Sequence, residues 1–367
     1  MKFIIIGYRD AYFWNEYGTS VRDLQIAEII SRQHEVVFVN RPVSIYERLL
    51  RKNKKSSIYK KYSDRIKFID CTSYDLIGPL SGRYWTKKCY TRIVNNILDR
   101  CDDDTTVIDF TPLAMLGYKK KANIIYWYDL IDNFAIHNRF TVKEKKAVQE
   151  KYKYVDNHAD IITAVSDKAL SSFTNINKYV MPNGVYIEKE TYNHFEINDD
   201  VYHFGFVGFV TDKLDVAFLN ELSQKYKIII WGRFFDESIR NKLSGNIKIA
   251  GAFKYSDLSE IMKTFQIGLL PYLTEKSHDE SPLKMYEYFK YGRPCLSSMH
   301  FEISSKWFIN YMAVDKDILY DRIEDLLINS NSSEIKATIK DEWMFERKID
   351  LILQKVMLRQ YCDKKDN

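Results

Sequence analysis

A short helix with marked ends, set between two apolar runs, constrains this chain more than any other stretch. Ile267–Leu273 reads IGLLPYL and Cys295–Met299 reads CLSSM, both patterned as buried strands. Between them, residues 279–294 read DESPLKMYEYFKYGRP. Ser281 is placed to cap the helix, Pro282 suits its first turn, and Gly292 with Pro294 stops it. The same alternation opens the chain, with strands expected at Lys2–Gly7 and Glu35–Asn40 and a helix at about Ser20–Arg32. Repeated strand–helix–strand units build a parallel sheet, so the fold class is α/β.

The marked helix also carries chemistry. Its entry points N–H groups and the positive end of the helix dipole at whatever lies above the preceding strand. Lys284 and Glu287 stand three residues apart, on one face. A first-turn cation with a carboxylate one turn later suits a nucleotide diphosphate. Cation and dipole take the phosphates, and the carboxylate takes the pair of ribose hydroxyls. The plain alternative is a surface ion pair, against which the preceding strand and the cap both weigh.

SPLKMYEYFKYGRP resembles the nucleotide-sugar signature of GT-B glycosyltransferases, in particular the large retaining family whose two acids are separated by seven residues. Asp279 and Glu287 have that spacing. The resemblance implies a GT-B fold: two Rossmann-like domains facing a cleft, with a C-terminal helix returning to the first. It implies no cofactor beyond the nucleotide-sugar donor itself. It places Glu287 on the ribose diol and Asp279, one carbon shorter than the usual glutamate, near the sugar or its phosphate. Ser281 and Leu283 bring amide N–H groups to the diphosphate, Pro282 shapes the turn between them, and Lys284 brings charge.

Other segments extend the resemblance. HFGFVGFV at 203–210, followed by Thr211, Asp212 and Lys213, is similar to a donor-phosphate loop in which glycine, arginine and a later lysine recur. Gly208 and Lys213 match, but Phe209 stands where arginine is usual. A charge-assisted phosphate contact is worth roughly 1.5–3 kcal/mol, and Arg233, after the strand Ile228–Trp231, is the candidate replacement. Phe253, beside Ala252, lies in the loop that meets the base in the family. Asp129-Leu-Ile-Asp132-Asn-Phe134 resembles the YDxxDdF stretch of polysaccharide and teichuronic acid glycosyltransferases. With a strand ending at Tyr128, both acids fall at the carboxyl edge of the sheet, where open α/β sheets place ligands. Asp129 and Asp132 are therefore candidates to touch the acceptor hydroxyl or transferred sugar, unless they cap a helix. Gly18 and Thr19 fit the acceptor-side loop after the first strand. HADIITAVSDKAL and NKYVMPNGV are similar to the close of the first domain. The expected domains are 1–184, 185–340 and a helix and tail, 341–367, docking on the first through Trp343, Phe345 and Ile349.

Composition narrows the partners. Residues 1–185 hold 30 Lys/Arg against 21 Asp/Glu, and residues 186–367 hold 25 against 29, so an anionic partner is expected at the first half. Cations interleave with Leu49, Leu50, Ile58 and Tyr59 in residues 46–67, and with Trp85 in residues 83–92. That pattern suits an anionic membrane surface or, equally, a solvated basic loop. No nucleic-acid module accompanies the charge, so nucleic acid is not an expected partner. Five scattered cysteines without CxxC fit a reducing compartment. The apolar run in MKFIIIGYRD is too short for a signal sequence or a span, which leads to a cytoplasmic expectation with peripheral contact at the inner membrane face. The first loop lacks GxGxxG, which argues against a dinucleotide oxidoreductase. Asp102-Asp103-Asp104 precedes a strand rather than ending one, and the seven histidines form no HxH or HExxH, so no metal site is expected.

The function expected is transfer of a sugar from a nucleotide-sugar to a saccharide or lipid-linked saccharide acceptor in bacterial surface polysaccharide biosynthesis, without metal and with retention. Two alternatives stay open. One is a nucleotide-sugar epimerase on the same fold, and the other is a catalytically silent GT-B partner subunit, which Phe209 keeps in view.

Overall fold

The computed structural model describes residues 1–9, 21–50, 65–74, 76, 82–83, 86–99, 104–115, 124–187, 201–278, 281–301 and 303–365. Gly18, Thr19 and Asp279, and residues 51–64 and 84–85 of the two basic stretches, lie outside the described residues. The chain divides into two compact units. The first comprises Met1–Pro182, His278–Glu280 and Lys348–Asn367, and the second Asn183–Ser277 and Ser281–Arg347.

The first unit is built on strands β1 (Lys2–Ile6), β2 (Glu35–Val39), β4 (Ile66–Ile69), β6 (Thr105–Asp109), β7 (Ile124–Leu130), β8 (Ile161–Ala164) and β9 (Lys178–Val180). They form a sheet in the order β4-β2-β1-β6-β7-β8-β9, parallel at every pairing. The short strands β3 (Val43–Ser44) and β5 (Thr72–Ser73) pair separately. Runs such as IIYWYDL in β7 are buried at every position, as a parallel sheet covered on both faces requires. Helix α1 (Arg22–Ser31) follows the first loop. Helix α2 (Val142–His158) starts on a capping box: Thr141 Oγ accepts the Glu144 N–H at 3.2 Å and Glu144 accepts the Thr141 N–H at 2.9 Å. From its inner face Lys151 reaches Asp109 at 2.6 Å, and both side chains are fully buried. Burial lowers the Lys151 pKa, and the Asp109 charge and hydrogen bond work against that shift.

The second unit repeats the plan with β10 (Tyr202–Val207), β11 (Ile228–Trp231), β12 (Ile247–Gly251), β13 (Phe265–Leu270), β14 (Cys295–Ser297) and β15 (Phe308–Asn310). Their order is β12-β11-β10-β13-β14-β15, again wholly parallel. Each sheet winds outward in both directions from its first strand. The reversal falls between β1 and β6 in one unit and between β10 and β13 in the other, where open sheets receive ligands.

Helix α3 (Leu283–Lys290) joins β13 to β14. Its end follows from Gly292, whose φ of +68° suits a residue without Cβ. The Gly292 N–H bonds Phe289 O at 2.9 Å and the Arg293 N–H bonds Tyr288 O at 2.8 Å, the paired bonds of a Schellman turn. Its start differs from expectation. Pro282, not Ser281, occupies the cap position, and no side chain caps the helix.

The last helix, α4, runs Phe345–Lys365. Its residues from Lys348 belong to the first unit, where Lys355 Nζ lies 5.9 Å over the Tyr179 ring. Trp343 and Phe345, expected on that docking face, instead close the second unit. The Val185 N–H bonds Trp343 O at 2.8 Å, the Phe345 N–H bonds Val185 O at 3.0 Å, and Trp343 packs edge-on against Phe289.

Candidate active site

In the second unit, several side chains converge at the carboxyl ends of β10 and β13. Gly208 leaves β10 with φ +121°, a conformation that L side chains rarely adopt. Lys284, in the first turn of α3, lies across it: a Cβ on Gly208 would stand 2.3 Å from Lys284 Cε and 3.1 Å from Nζ. Lys284 Nζ donates to the Tyr272 hydroxyl at 2.9 Å and sits 4.9 Å from the Phe206 ring centre. Two aromatic rings therefore border an ammonium at a helix entry and hold it there by cation–π attraction. Lys213 is carried to the same end by the loop after β10. That loop pairs with the exit of β13 through the Leu214–Tyr272 bridge and the Leu273 N–H to Lys213 O bond of 2.7 Å.

Glu287 lies one turn beyond Lys284 and is buried. Its Oε1 accepts the Tyr255 hydroxyl at 2.6 Å, and its Oε2 is 3.6 Å from Lys290 Nζ. Tyr255 stands just past β12, so this bond fixes the carboxylate toward the β12 exit. Phe253, in the same exit, is half-buried against the core. A carboxylate has about four lone-pair positions, of which the Tyr255 hydroxyl takes one while the Lys290 ammonium faces Oε2.

Ser281 and Arg233, expected at the donor, and Phe209 have the following surroundings. Ser281 is buried, and its Oγ accepts the Asn183 N–H at 3.1 Å while its carbonyl accepts the Asn183 side-chain amide. That tie, not capping, explains its hydroxyl. Arg233 is exposed, and its carbonyl accepts the Val210 N–H at 3.0 Å. Phe209 packs on Phe235 with ring centres 4.9 Å apart. Pro282 and Leu283 open α3 directly before Lys284.

In the first unit, the two acids after Tyr128 part company. β7 continues through Asp129 to Leu130, so Asp129 belongs to the sheet and is fully buried. Arg22 grips it with two bonds, Nε to Oδ1 at 2.8 Å and a terminal guanidinium nitrogen to Oδ2 at 2.9 Å, and Thr163 donates to Oδ2 at 2.6 Å. The same guanidinium reaches Met181 O at 2.7 Å. A carboxylate enclosed in this way positions chain segments and does not reach a substrate. Asp132 stands in the half-exposed turn beyond, close to His137 and His278. Neither acid caps a described helix.

Asp23, one residue into α1, is buried at the β1 end and accepts the Arg9 N–H at 3.0 Å. Burial pushes its pKa up to about 6, against the hydrogen bonds of the Arg9, Tyr8 and Leu24 amides.

No protein-family model matches the chain, and no curated protein matches it in sequence. Solved structures do match. HepE from Anabaena, in complex with UDP and glucose, aligns with a TM-score of 0.62 and 13% identity over 97% of this chain and 99% of its own. An S. aureus TarM variant in complex with fondaparinux, alpha-GlcNAc-glycerol and UDP aligns at 0.61 and 12% over 97% and 99%. AviGT4, a glycosyltransferase involved in avilamycin A biosynthesis, aligns at 0.55 and 10% over 98% of each chain. With the two switch-point sheets described above, these likenesses decide the architecture. The chain has the GT-B fold.

Within this GT-B chain, sequence reasoning missed four residues of the site: Gly232, Gly251, Tyr255 and Tyr272. A Cβ on Gly232 would lie 1.8 Å from Gly208 O, and the Gly232 N–H bonds Gly251 O at 2.7 Å, so bare backbone lies at three adjacent strand ends. The signal was present, since β10 and β11 are each followed by glycine and β12 ends on one. Nothing local marks Tyr255 or Tyr272, because their partners on α3 are remote in sequence.

Proposed function

We propose that this protein is a glycosyltransferase that moves a sugar from a nucleotide-diphosphate sugar to a saccharide acceptor. The observation that carries the proposal is the placement of Lys284 and Glu287 at the switch point of the second unit, one across Gly208 and the other fixed by Tyr255. Lys284, with Lys213 and the first-turn amides of α3, would neutralise charge that grows on the departing diphosphate as the glycosidic bond breaks. Glu287 would hold the ribose diol and so set the register of the donor. Asp132 would position the acceptor hydroxyl, while Asp129 holds Arg22 and the sheet. The HepE and TarM structures, both in complex with UDP, support a nucleotide-sugar donor. Retention of configuration, the absence of a metal at the diphosphate and a lipid-linked acceptor of a bacterial surface polymer complete the reading. Calorimetry with nucleoside diphosphates tests it: the wild type should bind one of them, and Glu287→Ala should weaken that binding at least tenfold. Unchanged affinity would refute the assignment.

The expected membrane contact belongs to the same proposal. Among the described residues no helix is long and apolar enough to cross a membrane. Leu49 and Leu50 are 72% and 67% exposed beside Arg48, which supports surface contact with anionic lipid. Flotation with anionic vesicles, but not neutral ones, is the expected result.

The Phe209–Phe235 pair, standing where a phosphate-gripping arginine was expected, favours one second reading: a GT-B subunit that binds nucleotide without turnover. Binding with no nucleotide release across donor and acceptor panels would select it.

A further inference from the structure

Asp132, His137 and His278 bring one ligating atom each to within 4.8 Å of one another. All three belong to the first unit, although His278 is remote from the other two in sequence. We propose that these three side chains form a binding site for a divalent transition-metal ion of the zinc type. The proposal goes beyond glycosyl transfer and does not rest on it.

The fold brings the three groups together. The Asn133 N–H bonds His278 O at 3.0 Å, which ties the His278 segment to the turn that carries Asp132. His278 is 5% exposed, and its Nε2 is 3.1 Å from Asn138 Oδ1. In the tautomer that donates from Nε2 to this amide oxygen, Nδ1 is the acceptor and is the nitrogen that a cation would take. An outer hydrogen bond that sets the tautomer of the ligand in this way is a recurrent feature of histidine metal sites. The His137 ring lies over the His278 ring, centres 3.9 Å apart, and because a metal lies in the plane of each imidazole that binds it, His137 turns off this stack, past Phe140 at 5.2 Å and Phe134 at 6.2 Å, to share an ion with His278. His137 Nδ1 also accepts the Arg139 N–H at 3.1 Å. Metal binding through either ring nitrogen gives up that bond, and because Arg139 is exposed, water can replace it.

The donor set selects the cation. Two imidazoles and one carboxylate suit Zn2+ and its first-row neighbours, whereas Mg2+ requires a shell of oxygens. Histidine spacing in the sequence concealed the group because no two of its members form a recognised metal motif.

The test uses full-length protein stripped with EDTA and titrated with Zn2+ and with Mg2+ by calorimetry and thermal denaturation. One Zn2+ per chain with a rise in Tm, and no response to Mg2+, is expected. The double variant His137→Ala/His278→Ala should bind Zn2+ at least tenfold more weakly, while Glu287→Ala, altered in the nucleotide site, should bind it normally. X-ray absorption of the zinc-loaded wild type should show nitrogen and oxygen neighbours only, which keeps the proposal testable if the double variant does not fold. Absence of Zn2+ binding, an equal response to Mg2+, unchanged affinity in a folded double variant, or a sulfur shell from the free cysteines would each overturn it.

Discussion

Lys284 lies across Gly208 so closely that the glycine has no room for a methyl group, with only 2.3 Å between the place of its Cβ and Lys284 Cε. Gly208→Ala should therefore displace the lysine and strain a backbone held at φ +121°. Lys284→Met removes the charge and keeps most of the bulk. A lost charge-assisted hydrogen bond costs roughly 1.5–3 kcal/mol, or about 10–150-fold in affinity. Both variants should lose that much for the preferred nucleoside diphosphate and little for the free nucleoside, as read by calorimetry. Equal losses for both ligands would mean that Lys284 does not meet phosphate.

Glu287 makes a sharper demand on the ligand. If its carboxylate takes the ribose diol, the wild type should prefer a ribonucleotide to its 2′-deoxy counterpart, and Glu287→Ala should bind both equally. Tyr255→Phe deletes the bond that aims Glu287 and should cost about 1 kcal/mol of nucleotide affinity, a smaller change in the same direction. Competition titrations with the two sugars decide this.

Asp129 and Asp132 separate structure from chemistry. Removing one partner of a buried ion pair costs about 3–5 kcal/mol because the other charge is left uncompensated. Asp129→Ala should lower unfolding stability by that order, since Arg22 would remain buried without its carboxylate. Asp132→Asn, in the half-exposed turn, should stay within about 1 kcal/mol of wild type in metal-free buffer, yet reduce turnover with donor and acceptor present. Urea unfolding of the two variants gives the comparison, and a large stability loss for Asp132→Asn would reverse the assignment.

What was legible before the structure was local. The stop at Gly292 depends on residues within a turn of one another, and so does the shared face of Lys284 and Glu287. What escaped depends on distant chain. Whether β7 ends at Tyr128 or at Leu130 is decided by Arg22, 107 residues away, whose guanidinium makes burial of Asp129 affordable. Ser281 looked like a cap because its neighbours permit one, but Asn183 takes its hydroxyl first. His278 joined Asp132 and His137 only through folding. Strand-end glycines were a different matter: their pattern was visible, and its meaning lay in the close approach of Gly208, Gly232 and Gly251.

Asp23 carries the pH dependence. Burial lifts its folded pKa from 3.8 to about 6, so the native state binds the proton more tightly than the unfolded chain. Its contribution to stability is therefore greatest below pH 3.8 and is lost as pH rises through 6. Over roughly two pH units, at 1.36 kcal/mol each, the loss is on the order of 3 kcal/mol. Asp23→Asn keeps an oxygen for the Arg9 N–H and cannot ionise. The variant should gain stability relative to wild type between pH 4 and pH 7, with most of the gain accruing below pH 6. Other carboxylates titrate alike in both proteins and cancel in the difference. Denaturant unfolding of both at pH 4, 5, 6 and 7 measures that difference directly, and parallel stability curves would show that Asp23 is already ionised at no cost in the folded protein.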